Sequence, residues 1–99
     1  MPESRYVMIA QMDVDPSVEA EFIDWLAKEH IPAVSRVPGV LSVKRYVAPL
    51  GDPKYMIIYE LSRSDVPSSR DWNETRKVGR TARMRQHIRN ASYRVFREA

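Results

Sequence analysis

Apolar and polar residues alternate along the chain in ways that divide it into short elements. From Arg5 to Met12 nearly every position is apolar, so a strand there carries Tyr6, Met8, Ala10 and Met12 on one face and Val7 and Ile9 on the other. Asp13-Val14-Asp15-Pro16 ends it. Asp15 suits a helix N-cap and Pro16 the first helical position, where a missing N–H costs nothing. Val18, Phe22, Trp25, Leu26 and Ala33 then recur at helical spacing, while Glu19, Glu21, Asp24 and Lys28 lie elsewhere around the axis. Pro32 lacks an N–H for residue 28 and is expected to disturb the helix end. Pro38-Gly39 marks a turn, a second strand runs from Val40 to Val47, and Ala48 to Pro53 reads as a hairpin loop. Lys54 to Leu61 alternates most clearly, with Tyr55, Ile57, Tyr59 and Leu61 on one face. A second helix is predicted from a capping box of Ser68 and Asp71 to a left-handed stop at Gly79. Met84 and Ile88 suggest a further helical turn or two, and Tyr93 to Arg97 a final strand.

The order is therefore β-α-β-β-α-β over one domain, residues 1–99: an α+β, ferredoxin-like arrangement. Right-handed crossovers place both helices on one face of a four-stranded antiparallel sheet. The first and third strands, however, are apolar on both faces. The face without helices would be an exposed apolar patch unless a partner sheet covers it or it serves as a binding platform.

Composition narrows the chemistry. The chain has no cysteine, which removes disulfides, thiolate nucleophiles and Cys-bound metals together. With two histidines and three glycines there is little for a metal site and no dinucleotide-binding fingerprint, and no metal or cofactor is assigned. No apolar run is long enough for a membrane helix and no signal-peptide pattern opens the chain, so a cytoplasmic, membrane-free protein is expected. Charge is lopsided: residues 1–38 hold seven acids against three bases, and residues 39–99 thirteen bases against six acids. This polarity fits either an anionic partner or a solvated basic face. Between Arg76 and Arg89 the basic residues wrap around a helix instead of forming one stripe, which argues against a nucleic-acid groove.

The segment from Phe22 to Pro32 carries the most local information. His30 follows Leu26 by four residues and Ile23 by seven, at the margin of the buried stripe near a helix C-terminus, where the helix dipole favours its protonated form. It can move a proton in a pocket between helix and sheet, or simply be held by a backbone group or a tyrosine at the pocket edge. Tyr6, Tyr46 and Tyr59 lie on three strands and converge if the register allows; a tyrosine can orient a phenolic or carbonyl oxygen, or it can be ordinary strand packing. Arg45 can hold a carboxylate or be solvated.

Trp25, Glu29, His30 and Pro32, followed by Pro38-Gly39, Arg45-Tyr46 and the strand from Pro53 to Leu61, resemble the EthD-like proteins of the dimeric α+β barrel superfamily. The resemblance covers roughly residues 5–62 and the remainder by topology. It implies a homodimer whose two sheets pack face to face. It also implies an acid/base enzyme or binder for a small aromatic or polyketide-like compound, of cofactor-free isomerase, cyclase, lyase or monooxygenase type. His30 would be catalytic, Tyr6, Trp25, Glu29, Arg45, Tyr46 and Tyr59 would line the substrate site, and Glu29 would orient His30 or raise its pKa. The cyclase pattern of a first-strand histidine with a late one is only half present, as His87, and no residue stands out as a haem ligand.

Two other classes fit the element order. RNA-recognition motifs share it, but their third strand is Gly-rich, whereas Lys54 to Leu61 has no glycine; Tyr55 and Tyr59 would have to form the stacking platform. The other is a structural dimer without a ligand.

Overall fold

A computed structural model describes residues 5–99. The elements are β1 (Tyr6–Val14), α1 (Glu19–Trp25), a π-helical turn (Leu26–His30), α2 (Ile31–Ser35), β2 (Val40–Val47), β3 (Tyr55–Leu61), α3 (Arg70–Thr75), α4 (Thr81–Arg85) and β4 (Ile88–Arg97), with 3₁₀ turns at Pro16–Val18 and Val66–Ser68. The four strands form one antiparallel sheet in the order β2-β3-β1-β4, the ferredoxin-like topology that the element order predicts.

The alternation reads out as burial. Met8, Ala10, Met12 and Val14 of β1 and Tyr55, Ile57, Tyr59 and Leu61 of β3 are buried beneath Phe22, Trp25, Leu26, Val34, Val66, Trp72 and Met84. On the opposite face Val7, Ile9, Met56 and Ile58 stay half-buried with no element above them. Tyr55 and Tyr59 are thus on the helix side, so neither can stack a base on the open face.

Several boundaries differ from expectation, each for a local reason. Asp15 does precede Pro16, but its carboxylate makes no cap bond; it meets His87 at 3.2 Å and Arg89 at 2.6 Å, tying the end of β1 to the start of β4. Ser69, not Ser68, caps α3, accepting from the Trp72 N–H at 3.2 Å, while the Ser68 hydroxyl donates to the Asp65 carbonyl. α3 ends at Thr75, short of Gly79. Ile88 opens β4 instead of extending a helix, so that strand begins five residues before Tyr93. Pro32 lies inside helical structure that continues to Ser35.

The charge asymmetry is resolved within the molecule. Arg80, at the start of α4, reaches α1 and the π turn: Nε bonds Glu29 at 2.5 Å, its guanidinium meets Asp24 at 3.0 Å and Glu21 at 3.4 Å, and its backbone N–H donates to Glu29 at 2.9 Å. Arg83 adds a second contact to Glu21 at 2.8 Å. The acidic first helix is thus the counter-ion of the basic segment.

Gly39 closes the α2–β2 turn at φ +96°, and its carbonyl accepts from the Ser62 N–H at 2.8 Å. A Cβ there would come within 2.5 Å of Val66 Cγ2, in a side chain that is fully buried. Gly39→Ala is expected to destabilise the fold by at least ~1–2 kcal/mol from the backbone alone. A urea midpoint that falls at constant slope would show it, and an unchanged midpoint would refute it.

Candidate functional site

The site is organised by the wide turn at Leu26–His30. The N–H of Ile31 bonds the Leu26 carbonyl, five residues back, instead of four. In a regular α-helix, residues five apart are separated by roughly 140° around the axis; a π turn brings them over one another. Trp25 and His30 accordingly stack, with ring centroids 4.8 Å apart and planes at 29°. Glu29 is swung to the other side, into the Arg80 clamp.

His30 reaches β3 as well. Its Nε2 lies 2.8 Å from the Tyr59 hydroxyl, and the two rings meet edge-on. Tyr59 packs edge-on against Trp72 at 5.1 Å, and Trp25 Nε1–H donates to Thr81 Oγ1 at 3.1 Å. Around this chain of aromatic groups is a cavity of about 390 Å³ between the helices and the sheet. Met8, Met12, Ile57 and Val95 form its floor, Trp25, His30 and Trp72 its walls, and Ser64, Ser68, Thr75, Arg76 and Arg85 contribute polar groups.

Burial, together with the charge of Arg85, pulls His30 down to about 4, so the imidazole is neutral in the free protein. This reverses the expectation from the helix dipole: removing the ring from water outweighs a partial charge at a helix end. Burial also holds Tyr59 above the ordinary tyrosine range, so its hydroxyl stays protonated at neutral pH. In the Nδ1–H tautomer of His30, Tyr59 O–H donates and Nε2 accepts. Glu29 neither orients His30 nor raises its pKa: the Arg80 backbone N–H and guanidinium hold its carboxyl below the usual range.

Of the residues proposed from sequence, His30, Trp25 and Tyr59 line one cavity. Tyr6 lies on the same face of the sheet, partly buried against the core, but does not line that cavity. Tyr46 pairs with Met56 and so projects from the open face, away from His30. Arg45 pairs with Ile57 on the helix-side face but is exposed on the edge strand, outside the cavity. The shift in pairing between Val40 and Ser42 sets this parity, because one extra residue moves every later side chain to the other face. Sequence reasoning missed Trp72, Thr81, Arg76 and Arg85. The last two were in the basic run, but only the break between α3 and α4 shows which of its members line the cavity.

Neither a protein-family model nor a curated protein matches the chain. Solved structures do. A variant of SnoaB, a cofactor-independent oxygenase from Streptomyces nogalater, is 14% identical with a TM-score of 0.69 over 95% of this chain and 92% of that one. An ethyl tert-butyl ether d (EthD) family protein from Bacillus halodurans is 13% identical with a TM-score of 0.69, over 96% and 99%. The haem-degrader MhuD from Mycobacterium tuberculosis, with two haems bound in its active site, is 17% identical with a TM-score of 0.68, over 93% and 93%. The chain has the fold of the dimeric α+β barrel proteins.

That fold accounts for the two different faces of the sheet. In this chain the helix-covered face holds the cavity, and the apolar open face is separate from it. The fold hosts a cofactor-independent oxygenase and a haem-degrader alike, so the fold by itself decides neither chemistry nor cofactor. Among the described residues no group of three or more His, Asp or Glu side chains is arranged to hold a metal ion.

The state of His30 has a measurable consequence. Between about pH 4 and its ordinary 6.5, the unfolded chain binds a proton at His30 that the folded chain does not. Stability contributed by the neutral ring is therefore complete above that window and declines as pH falls through it. NMR titration should place the His30 midpoint near 4, and His30→Gln should flatten the stability profile across the same interval. A midpoint at or above 6 would contradict the burial argument.

Proposed function

We propose that the protein is a small-molecule enzyme acting by acid/base chemistry on an aromatic or polyketide-like compound, with His30 as the proton-transfer residue. The observation that carries this reading is a neutral imidazole, 2.8 Å from a protonated tyrosine, inside a cavity walled by two tryptophans. The apolar and aromatic lining of the cavity, Trp25 and Trp72 included, suits a flat apolar ligand. Nε2 of His30 accepts a proton from an acidic O–H or C–H of that ligand, and the released electron pair passes into the ligand's conjugated system. The Tyr59 hydroxyl, freed from Nε2, donates to the oxygen on which negative charge grows. This first step is common to isomerisation, cyclisation, elimination and oxygenation of such compounds. The free imidazole is a weak base, and the ligand's own negative charge strengthens it on binding.

Hydroxylated bicyclic and tricyclic aromatics, screened by quenching of tryptophan fluorescence and then by turnover with and without oxygen, test the reading. His30→Gln should lose ~10²–10⁴-fold in turnover while retaining its fold. An active but destabilised His30→Gln protein would show that the histidine is structural.

The same proposal includes a homodimer formed through the open face, where Val7, Ile9, Met56 and Ile58 are flanked by Tyr46 and Phe96, 46% and 38% exposed. An apolar patch of this kind is normally covered. It is aliphatic at its centre, which supports sheet-on-sheet packing over base stacking and sets the RNA-binding reading behind this one. Sedimentation should give a dimer at micromolar concentration, and Ile9→Asp a monomer; a stable monomeric native protein would refute it.

A further inference from the structure

We propose that the ligand of this cavity carries an anionic group, a carboxylate or an equivalent oxyanion, held at the mouth by Arg76 and Arg85. The proposal rests on the reading of the cavity as the ligand site and names the class of molecule that enters it.

The argument comes from how the basic segment distributes its partners. Arg80 is taken up by Glu21, Asp24 and Glu29, Arg83 by Glu21, Arg89 by Asp15, and Lys77 by Glu74. None of these side chains lines the cavity. Arg76 and Arg85 are the two members of the segment that line the cavity, and neither has a carboxylate partner among the described residues. One follows α3 and the other ends α4, so two arginines from separate elements line one cavity.

No acidic side chain lines the cavity, and its floor is Met8, Met12, Ile57 and Val95. Two positive charges beside an apolar, partly enclosed space create a potential that a bound anion lowers most, with planar donors suited to carboxylate geometry. Arg45, the arginine considered from sequence for such a role, lies outside this space. The complementary molecule is therefore amphipathic: a flat apolar body for the tryptophan walls and one anionic end facing the mouth. Such an anion would also offset the Arg85 charge that opposes protonation of His30, so binding and proton acceptance reinforce each other.

The test uses 2-naphthoate and its neutral isostere 2-naphthamide, read by quenching of tryptophan fluorescence, since both tryptophans line the cavity. At low salt the carboxylate should bind at least about tenfold more tightly than the amide, reflecting charge-assisted contacts. Arg76→Gln and Arg85→Gln should each remove most of that preference while changing amide affinity less than about twofold, and Arg85→Lys should restore much of it. Both arginines are exposed, so these variants should keep the native melting temperature. Equal affinity for the two probes, or variants that weaken both alike, would overturn the anion assignment and leave the cavity as a neutral-ligand site. Failure of both probes to bind at millimolar concentration would overturn the assignment and the ligand-site reading together.

Discussion

Pro32 has no N–H to offer the Lys28 carbonyl, and the site depends on how the chain accommodates that. The helix does not stop. It widens for one turn, bonds Ile31 back to Leu26, and resumes to Ser35. The widening decides which side chains face the sheet. With ordinary α-helical spacing, Glu29, four residues after Trp25, would be its neighbour, and His30 would point well away. The π turn exchanges them: His30 stacks on Trp25 and reaches Tyr59, and Glu29 turns to Arg80. One backbone feature thus places an imidazole in an apolar cavity and removes a carboxylate from it. Both effects favour the neutral ring.

The Arg80 clamp holds that exchange in place. Its guanidinium and backbone N–H together engage Glu29, while Glu21 and Asp24 anchor the same side chain from α1. Each of these partly exposed pairs is weak taken alone. As a network spanning three elements they fix the α3–α4 segment against the first helix, which in turn brings Thr81 under the Trp25 indole. The opposed charges of the two halves of the chain are therefore mainly an internal fastening.

The two central strands were legible because burial on a sheet has a period of two: β1 and β3 show it without interruption, and their doubly apolar pattern marks an uncovered face. The first helix and the place of His30 at its inner margin were legible too, although regular helical spacing alone does not bring His30 onto Trp25. Ile23, used to set that register, is 45% exposed; the π turn, which no residue spacing announces, supplies the missing rotation. Tyr46 was misplaced for a similar reason. A single extra residue between Val40 and Ser42 inverts the facing of β2, and bulges leave almost no trace in composition. Arg76 and Arg85 could not be separated from Arg80 and Arg83 by helical periodicity, because the segment is two short helices with a turn at Gly79 between them.

Alternate residues of the same central strands serve two purposes. Met8 and Tyr59 face the cavity, while Val7 and Ile58, their neighbours in sequence, face the open side. The floor beneath His30 is therefore as rigid as the sheet, and the sheet would be stiffened further by a second copy packed on its open face. Among the described residues no buried side-chain nitrogen or oxygen lacks a hydrogen-bond partner. In the free protein the imidazole is neutral with its Nε2 bonded to Tyr59, while Arg76 and Arg85 line the same cavity without a carboxylate partner among the described residues. On the proposed reading, proton transfer at His30 needs a ligand that both displaces the Tyr59 hydroxyl and offsets the Arg85 charge. A neutral molecule could do the first alone. An anionic one would do both, and on that reading catalytic readiness is coupled to occupation of the site.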